Sequence, residues 1–201
     1  MSFHPLMAYD AEHFQKSERK LVEEGPPFTL TADRRAKLDE MLTKYPPDQK
    51  RSAVLAALYL VQEQQGYLTA NAMRHIAPIL HMTPAEVDDV ATYYVMFYKE
   101  KVGKYVLQVC RTLSCALAGA ERVTEALSEK LGIGVGETDA SGTFTLGEFE
   151  CLGACDRAPV VMVNNEHWHE KVKPEDCGKL VDAIKAKGEA AFNGCHLKVE
   201  R

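Results

Sequence analysis

The sequence lacks the features that mark several common functional classes. Although 46% of its 201 residues are hydrophobic, no run of eighteen apolar residues occurs, so we expect a soluble chain without direct membrane insertion. The formal net charge is -5 and the basic residues are scattered, so we expect no nucleic-acid partner. The chain also lacks a P-loop, a Ser-His-Asp arrangement and paired carboxylates in an apolar setting. We therefore expect no substrate site on this chain alone.

Six cysteines are present, and four of them form two short pairs. Four residues separate Cys110 from Cys115, three separate Cys151 from Cys155, and 35 residues lie between the pairs. Each iron of a 2Fe-2S cluster requires two thiolates, so two loops that each supply one pair can enclose such a cluster. The pattern therefore indicates a 2Fe-2S centre.

The same four cysteines could serve other chemistry. Disulfides would require an oxidising compartment, but residues 1–6 have neither the basic nor the apolar region of a secretory leader. Zinc remains a soft-thiolate alternative, although both spacings differ from those of a zinc ribbon. A catalytic dithiol normally has a C-x-x-C motif, which is absent. A Rieske centre would require two histidine ligands, and neither pair encloses a histidine.

The other two cysteines are expected to lie outside the site. Cys177 begins an i, i+3, i+4, i+7 pattern of apolar residues, which predicts a buried thiol on one face of a helix. Cys195 has no partner at metal-ligand spacing and is interpreted as a free thiol in the tail. His167 and His169 alternate along a predicted strand, and we expect surface imidazoles there.

The first half of the chain is predicted to be helical after an initial arm. Residues 1–30 contain paired prolines and no hydrophobic period, which indicates an extended N-terminal arm. Residues 31–98 are interpreted as a small helical bundle. Gly66 is placed as a helix C-cap, Thr69 as an N-cap, and Thr83–Glu86 as a capping box. The predicted helices cover about 31–45 and 50–65, and two more begin at Thr69 and Thr83.

The second half is predicted to be an α/β domain over residues 99–190, followed by a C-terminal tail at 191–201. A strand ends at Cys110, and a helix is predicted from Cys115 to Leu131. Three further strands and a closing helix are predicted at 143–148, 160–163, 166–169 and 174–187. The order β-α-β-β-β-α suggests a thioredoxin-like layer of helices on a mixed sheet, and an α+β chain as a whole.

Several segments carry a family resemblance over roughly residues 35 to 185. In the second half they are Cys110-x4-Cys115, Lys130–Ile133, Gly136–Thr138, Phe144–Leu146, Cys151–Cys155 and Ala158-Pro159; in the first half they are Gly66–Leu68 and Ala91–Tyr98. Together they resemble the thioredoxin-like 2Fe-2S subunit of NADH:quinone oxidoreductase, respiratory complex I.

The resemblance implies one 2Fe-2S cluster with Cys110, Cys115, Cys151 and Cys155 as ligands. It also implies a flavoprotein partner that binds NADH and FMN and exchanges single electrons with this chain, together with further complex I subunits. The chain would then be part of an enzyme, in a peripheral complex on the cytoplasmic side of a bacterial inner membrane. The same module resembles diaphorase subunits of NAD-dependent formate dehydrogenases and NAD-reducing hydrogenases. A stand-alone thioredoxin-like 2Fe-2S ferredoxin is a third alternative.

Charged residues beside the cysteines suggest how a cluster potential would be set. Arg111 and Arg157 are predicted either to favour the reduced, more anionic cluster or to be solvated loop arginines. A helix starting at Cys115 is expected to favour negative charge through its dipole, whereas Asp156 is expected to oppose it.

Overall fold

The computed structural model describes residues 22–192, and Cys195 and most of the predicted tail lie outside this range. The chain divides into two compact units, Met1–Ala91 and Thr92–Arg201. The division falls before residue 98, where the sequence pattern placed the end of the bundle. Among the helices of the described range, none is long and apolar enough to cross a membrane.

The first part of the described chain is helical. Its helices are α1 (Ala32–Leu42), α2 (Val54–Gln65), α3 (Ala70–Ile76) and α4 (Pro84–Tyr93), with short 3-10 turns at Lys50–Ala53 and Pro78–Leu80. Buried aliphatic residues such as Leu38, Leu58 and Ile76 supply the core of this unit. The residues that give the sequence its apolar periodicity therefore lie on the buried faces of these helices.

The helix ends follow the predicted capping chemistry. Gly66 ends α2 with a φ of 88°, a left-handed conformation that glycine adopts without steric cost. The Thr69 hydroxyl accepts a hydrogen bond from the Ala72 amide at 3.3 Å. The Glu86 carboxylate accepts from the Thr83 amide at 2.8 Å, and the Thr83 hydroxyl accepts from the Glu86 amide at 3.3 Å. These reciprocal bonds confirm the capping box.

The last residues of the predicted arm lie along α3. The carbonyls of Glu23 and Glu24 accept hydrogen bonds from the amides of Ala70 and Asn71, at 3.0 and 3.2 Å. Leu30 is buried. Residues 22–30 therefore pack onto the helical unit although they contain no helix or strand.

The second unit contains a four-stranded mixed sheet. Its strands are β1 (Tyr105–Cys110), β2 (Phe144–Phe149), β3 (Val161–Val163) and β4 (His167–His169), in the order β2-β1-β3-β4. Strands β1 and β2 are parallel, whereas β3 is antiparallel to both β1 and β4. Asn164 and Asn165, with φ of 54° and 58°, form the turn between β3 and β4. The predicted mixed sheet and final hairpin are confirmed.

The helices of the second unit are α5 (Leu113–Leu117), α6 (Ala120–Leu131) and α7 (Pro174–Lys187). The single helix predicted from Cys115 to Leu131 is wrong, because the chain breaks at Gly119, whose φ is 95°. A β-carbon at that position would lie 2.9 Å from the Arg122 guanidinium. Cys115 is consequently the third residue of a five-residue helix and does not stand at the start of a long one.

Helices α6 and α7 pack against each other and cover the sheet. Val123 and Leu127 of α6 meet Val181 and Ile184 of α7 in a core that includes the inward side chains of the strands. Cys110 and Cys115 belong to the same buried cluster. Burial of these aliphatic side chains stabilises the scaffold by roughly 1.5–3 kcal/mol each. The first cysteine pair is therefore anchored in the hydrophobic core of the domain.

Candidate iron-sulfur site

The two cysteine loops leave the sheet at the same edge. Cys110 is the last residue of β1 and is paired in register with Phe149, the last residue of β2. Because β1 and β2 are parallel, their carboxyl ends lie together, and the loops that follow them are neighbours. The first loop continues into α5 with Cys115, and the second carries Cys151 and Cys155.

Cys110 is buried, and several polar groups surround its sulfur. The sulfur lies 3.5 Å from the Thr112 hydroxyl and 3.9 Å from the Glu150 carbonyl oxygen. Burial alone would raise the pKa of the Cys110 thiol. Hydrogen bonds from Thr112, from the Leu152 amide and from the Cys115 thiol outweigh burial and lower this pKa. The site therefore favours a thiolate at Cys110.

Cys115 is buried beside Cys110. Burial raises the pKa of its thiol to about 11, and its hydrogen bond to Cys110 and the charges of Cys110 and Cys155 act in the same direction. The Val160 amide opposes this rise by hydrogen bonding to the sulfur. A bound metal would displace the thiol proton of Cys115, since the thiolate is the ligand form.

The second cysteine loop is exposed but firmly attached to the sheet. Cys151 and Cys155 are both exposed, and between them Gly153 has a φ of 73°. The Trp168 indole of β4 donates a hydrogen bond to the Leu152 carbonyl at 3.2 Å. The backbone amide of Leu152, in turn, is a donor to Cys110. One residue of the second loop therefore connects the sheet to the first loop.

The donor set fits a dinuclear core. In residues 22–192, no three histidine, cysteine, aspartate or glutamate side chains are grouped closely enough to hold one metal ion. A 2Fe-2S core requires two thiolates at each iron, which is the arrangement that two local pairs supply. Cys110 and Cys115 interact directly, Cys155 acts electrostatically on Cys115, and Cys151 belongs to the same loop as Cys155. The amides of Leu152 and Val160 add the N–H donors that anionic sulfur requires.

The charged residues around the site are held in ion pairs. Arg111 binds Glu150 and lies 3.6 Å from the Glu148 carboxylate. These carboxylates raise the pKa of Arg111, first through the hydrogen bond with Glu150. Arg157 binds Asp156 at 3.1 Å and Glu170 at 3.3 Å. Both arginine side chains are about half exposed, so Arg111 and Arg157 are solvated loop residues that also form surface ion pairs, and their effect on a cluster stays a prediction.

Of the cysteines outside the pairs, Cys177 lies within the described residues. It is fully buried on α7, and its thiol contacts the carbonyl oxygens of Lys173 at 3.5 Å and Val123 at 3.8 Å. Burial, followed by the charges of Asp176 and Glu175, raises its pKa to about 11. The prediction of a buried thiol on a helix face is confirmed.

The two histidines of β4 are not surface imidazoles, contrary to prediction. His167 stacks on the Phe192 ring with centroids 4.4 Å apart and planes at 11°, and His169 meets the same ring edge-on at 6.0 Å. Burial, and then the neighbouring His167, lowers the pKa of His169. Because Phe192 is distant in sequence from β4, the alternation of residues along the strand could not predict that this ring packs on both histidines.

Sequence reasoning missed four groups that contact the cysteine loops. They are the Thr112 hydroxyl, the amides of Leu152 and Val160, and the Trp168 indole. Backbone amides carry no residue-type signal. Two of these residues could have been found from the sequence. Thr112 lies between two candidate ligands, and Trp168 is the only tryptophan in the sequence.

The fold and the site together define a thioredoxin-like domain with two paired-cysteine loops. Comparison with known families agrees with this description: residues 38–185 match the thioredoxin-like 2Fe-2S ferredoxin family. The chain therefore belongs to this family, in its NADH-quinone oxidoreductase branch, on the basis of the family match and of the relatives described next. The predictions of this family, of the α+β fold and of a 2Fe-2S cofactor are confirmed.

Two relatives illustrate the branch. The chain is 41% identical to NADH-quinone oxidoreductase subunit 2 of Thermus thermophilus over 77% of its own length and 85% of the relative. It is 42% identical to a subunit of NADH-quinone oxidoreductase from Rickettsia conorii over 73% of its length and 87% of the relative. These alignments confirm the prediction that the chain is an enzyme subunit of the NADH-quinone oxidoreductase type.

A solved structure shares the fold. A chain of an NAD+-reducing NiFe-hydrogenase in the H2-reduced state matches with a TM-score of 0.59 and 20% identity. The match covers 70% of this chain and 25% of the hydrogenase chain. At this identity the likeness concerns the fold alone.

Proposed function

We propose that this chain is the 2Fe-2S electron-transfer subunit of the NADH-oxidising module of NADH:quinone oxidoreductase. In this role Cys110, Cys115, Cys151 and Cys155 ligate one cluster, and the chain exchanges single electrons with FMN on a partner flavoprotein subunit that binds NADH. The module would be part of a peripheral complex on the cytoplasmic side of a bacterial inner membrane, with further complex I subunits as partners.

One observation carries the proposal: the two cysteine loops leave the same sheet edge and contact each other. Cys110 ends β1 beside the end of β2, and the Leu152 amide of the second loop donates to the Cys110 sulfur. Two thiolate pairs presented by adjacent loops match the ligand requirement of a 2Fe-2S core.

When bound, the cluster would supply one-electron redox chemistry. The protein's own contribution is to hold and tune it. The four cysteines provide the thiolates, and the Leu152 and Val160 amides stabilise negative charge on the buried sulfurs of Cys110 and Cys115. The second loop stays exposed, so a donor or acceptor on a partner can approach from that side.

The relatives favour complex I over the diaphorase alternatives. Relatives at 41% and 42% identity are named as NADH-quinone oxidoreductase subunits. The hydrogenase chain is 20% identical. The subunits that co-purify with the chain from its own cells would separate the alternatives: a membrane arm identifies complex I, whereas a molybdenum or a nickel-iron subunit identifies the others.

The proposal is tested by metal analysis followed by reduction. We expect the purified chain to hold about two irons and two acid-labile sulfides per monomer. Dithionite should produce the EPR signal of a one-electron-reduced 2Fe-2S centre. NADH should produce the same signal only when the flavoprotein is also present, because we expect the chain alone to lack an NADH site.

The controls separate cluster identity from partner identity. Stoichiometric zinc without acid-labile sulfide would contradict the cluster. A cluster that dithionite reduces, but NADH with flavoprotein does not, would contradict the proposed electron exchange while leaving the cluster assignment intact.

A further inference from the structure

Thr112 is the N-cap residue of α5, but its hydroxyl does not cap that helix. An N-cap threonine ordinarily accepts a hydrogen bond from an amide in the first turn. Thr69 and Thr83 do so at α3 and α4, where each hydroxyl accepts from the amide three residues further on. At α5 the Thr112 carbonyl accepts from the Ala116 amide at 3.0 Å, whereas its side chain forms no cap bond within the described chain. The hydroxyl is therefore available for another contact.

The Thr112 hydroxyl instead lies between two acceptors. It donates a hydrogen bond to the carbonyl oxygen of Glu150, which directly precedes the first cysteine of the second loop. It also lies 3.5 Å from the Cys110 sulfur, and that sulfur lies 3.9 Å from the same carbonyl oxygen. One hydroxyl, one sulfur and one carbonyl therefore contact each other at the point where the two cysteine loops meet.

A single proton serves these three atoms once Cys110 is a metal ligand. A protonated Cys110 can donate to the Glu150 carbonyl, but a thiolate has no proton to donate. The carbonyl oxygen is an acceptor only, and the threonine hydroxyl carries one proton. In the thiolate form, the sulfur and the carbonyl therefore compete for the Thr112 hydroxyl.

The charge on the sulfur decides this competition. Hydrogen bonds to ionised acceptors are roughly twice as strong as bonds between neutral groups. The Glu150 carbonyl is neutral in both redox states, whereas one-electron reduction of a 2Fe-2S centre adds negative charge to its thiolate-bound core. Reduction therefore strengthens the bond from Thr112 to the Cys110 sulfur relative to the bond to Glu150.

We propose that the Thr112 hydroxyl is a redox-responsive hydrogen-bond donor, which binds the Glu150 carbonyl in the oxidised state and turns to the Cys110 sulfur in the reduced state. The step is a rotation of the O–H about the Cβ–Oγ1 bond, so no covalent bond changes and no proton is transferred. Thr112 acts through Cys110 and is a positioning residue. Because its bond to sulfur forms on reduction, it raises the midpoint potential. This inference rests on the proposed function, in which Cys110 ligates the cluster.

The test is an EPR-monitored redox titration of the cluster-loaded chain with Thr112→Val and Thr112→Ser. Valine has nearly the shape of threonine but no hydroxyl, so it should disfavour reduction about fivefold, the equivalent of one net hydrogen bond. At about 59 mV per tenfold for one electron, this change lowers the midpoint potential by about 40 mV. Serine keeps the hydroxyl, so its midpoint potential should stay near that of the wild type.

Two spectroscopic measurements distinguish a redox-responsive donor from a structural contact. After dithionite reduction, electron–nuclear double resonance in H2O and D2O should detect an exchangeable proton in the wild type and in Thr112→Ser that Thr112→Val lacks. Infrared difference spectra between the two redox states should show a carbonyl band that moves to higher wavenumber on reduction in the same two proteins, because Glu150 loses its hydrogen bond. A purely structural contact would change neither signal.

Thr83→Val is the matched control, because the Thr83 hydroxyl is an N-cap that accepts a bond from its own helix. This control should leave the midpoint potential unchanged, and iron and acid-labile sulfide analysis establishes that each variant is loaded. A loaded Thr112→Val with the midpoint potential and exchangeable protons of the wild type would overturn the inference. If Thr112→Val holds no iron, the wild type decides, and the absence of the carbonyl shift on reduction overturns the inference.

Failure of the proposed function gives a different result. A lowered midpoint potential in Thr112→Val, with a wild-type cluster that NADH and the flavoprotein cannot reduce, would support the donor and contradict the electron exchange. An unmoved midpoint potential in Thr112→Val, with normal reduction of the wild type by NADH and the flavoprotein, would contradict the donor and leave the proposed function intact.

Discussion

The Trp168 indole N–H donates a hydrogen bond to the Leu152 carbonyl oxygen across 3.2 Å. Trp168 lies in the middle of β4, and Leu152 lies between the two cysteines of the second loop. The loop is exposed at both of its cysteines, so this bond attaches an otherwise open segment to the edge strand of the sheet. The Leu152 amide then reaches Cys110 on the first loop.

Trp168→Phe should therefore release the cluster more readily. Phenylalanine keeps an aromatic ring in place but removes the N–H donor, and loss of one such bond costs about 1 kcal/mol. We expect roughly fivefold faster loss of the visible cluster absorbance in the presence of an iron chelator. Tyr45→Phe, at an exposed tyrosine of the other unit, is the control. Equal rates for Trp168→Phe and the wild type would mean that the indole does not hold the loop.

Serine substitution should separate ligand cysteines from structural ones. Serine at Cys110, Cys115, Cys151 or Cys155 should abolish or strongly perturb the cluster, because an alkoxide is a harder and more basic ligand than a thiolate. Cys177→Ser should retain it, since a hydroxyl can donate to the same Lys173 and Val123 carbonyls that the thiol contacts. Iron and sulfide analysis with visible spectra measures both. Normal iron in any of the first four variants would remove that residue from the ligand set.

Charge substitutions at the Arg111–Glu150 pair should shift the midpoint potential in opposite directions. Arg111→Gln leaves Glu148 and Glu150 without this cation and should lower the potential, whereas Glu150→Gln should raise it. Each shift should be on the order of 10–40 mV, corresponding to ~0.3–1 kcal/mol for one electron. The double variant should lie near the wild type. An EPR-monitored redox titration measures these values, and unmoved midpoints would assign the potential to backbone hydrogen bonds and burial instead.

Acid should destabilise the fold through His169. Burial and His167 lower its pKa in the folded chain below the ordinary value of 6.5, so the unfolded chain takes up the proton first. The stabilisation is present above pH 6.5 and is lost as the pH falls below it. His169→Phe should flatten the pH dependence of the free energy of unfolding in this window.

His81→Asn provides the control for the histidine prediction. His81 is exposed and has a φ of 55°, a conformation that asparagine tolerates. The control should leave the pH dependence unchanged. Thermal or denaturant unfolding at a series of pH values measures both variants, and a slope that His169→Phe does not alter would contradict the assignment.

Local signals predicted the elements whose chemistry is local. The capping box at Thr83–Glu86, the glycine cap at Gly66 and the asparagine turn at 164–165 depend on residues within four positions of one another. The two cysteine pairs were visible for the same reason, because each iron takes a pair from a short segment.

Features that depend on distant residues were not predictable. The Phe192 ring packs against His167 and His169. Arg157 forms an ion pair with Glu170. Neither relationship leaves a periodic trace in the sequence.

The parallel pairing of β1 and β2 makes the separation of the two cysteine loops independent of the chain between them. Neighbouring strands lie about 4.8 Å apart whatever the length of their crossover. The 35 residues between Cys115 and Cys151 contain α6 and the turn-rich segment 132–142, and neither sets the distance between the loops. The number of residues between Cys115 and Cys151 therefore does not determine how far apart the two cysteine loops lie, because the pairing of β1 with β2 sets that distance.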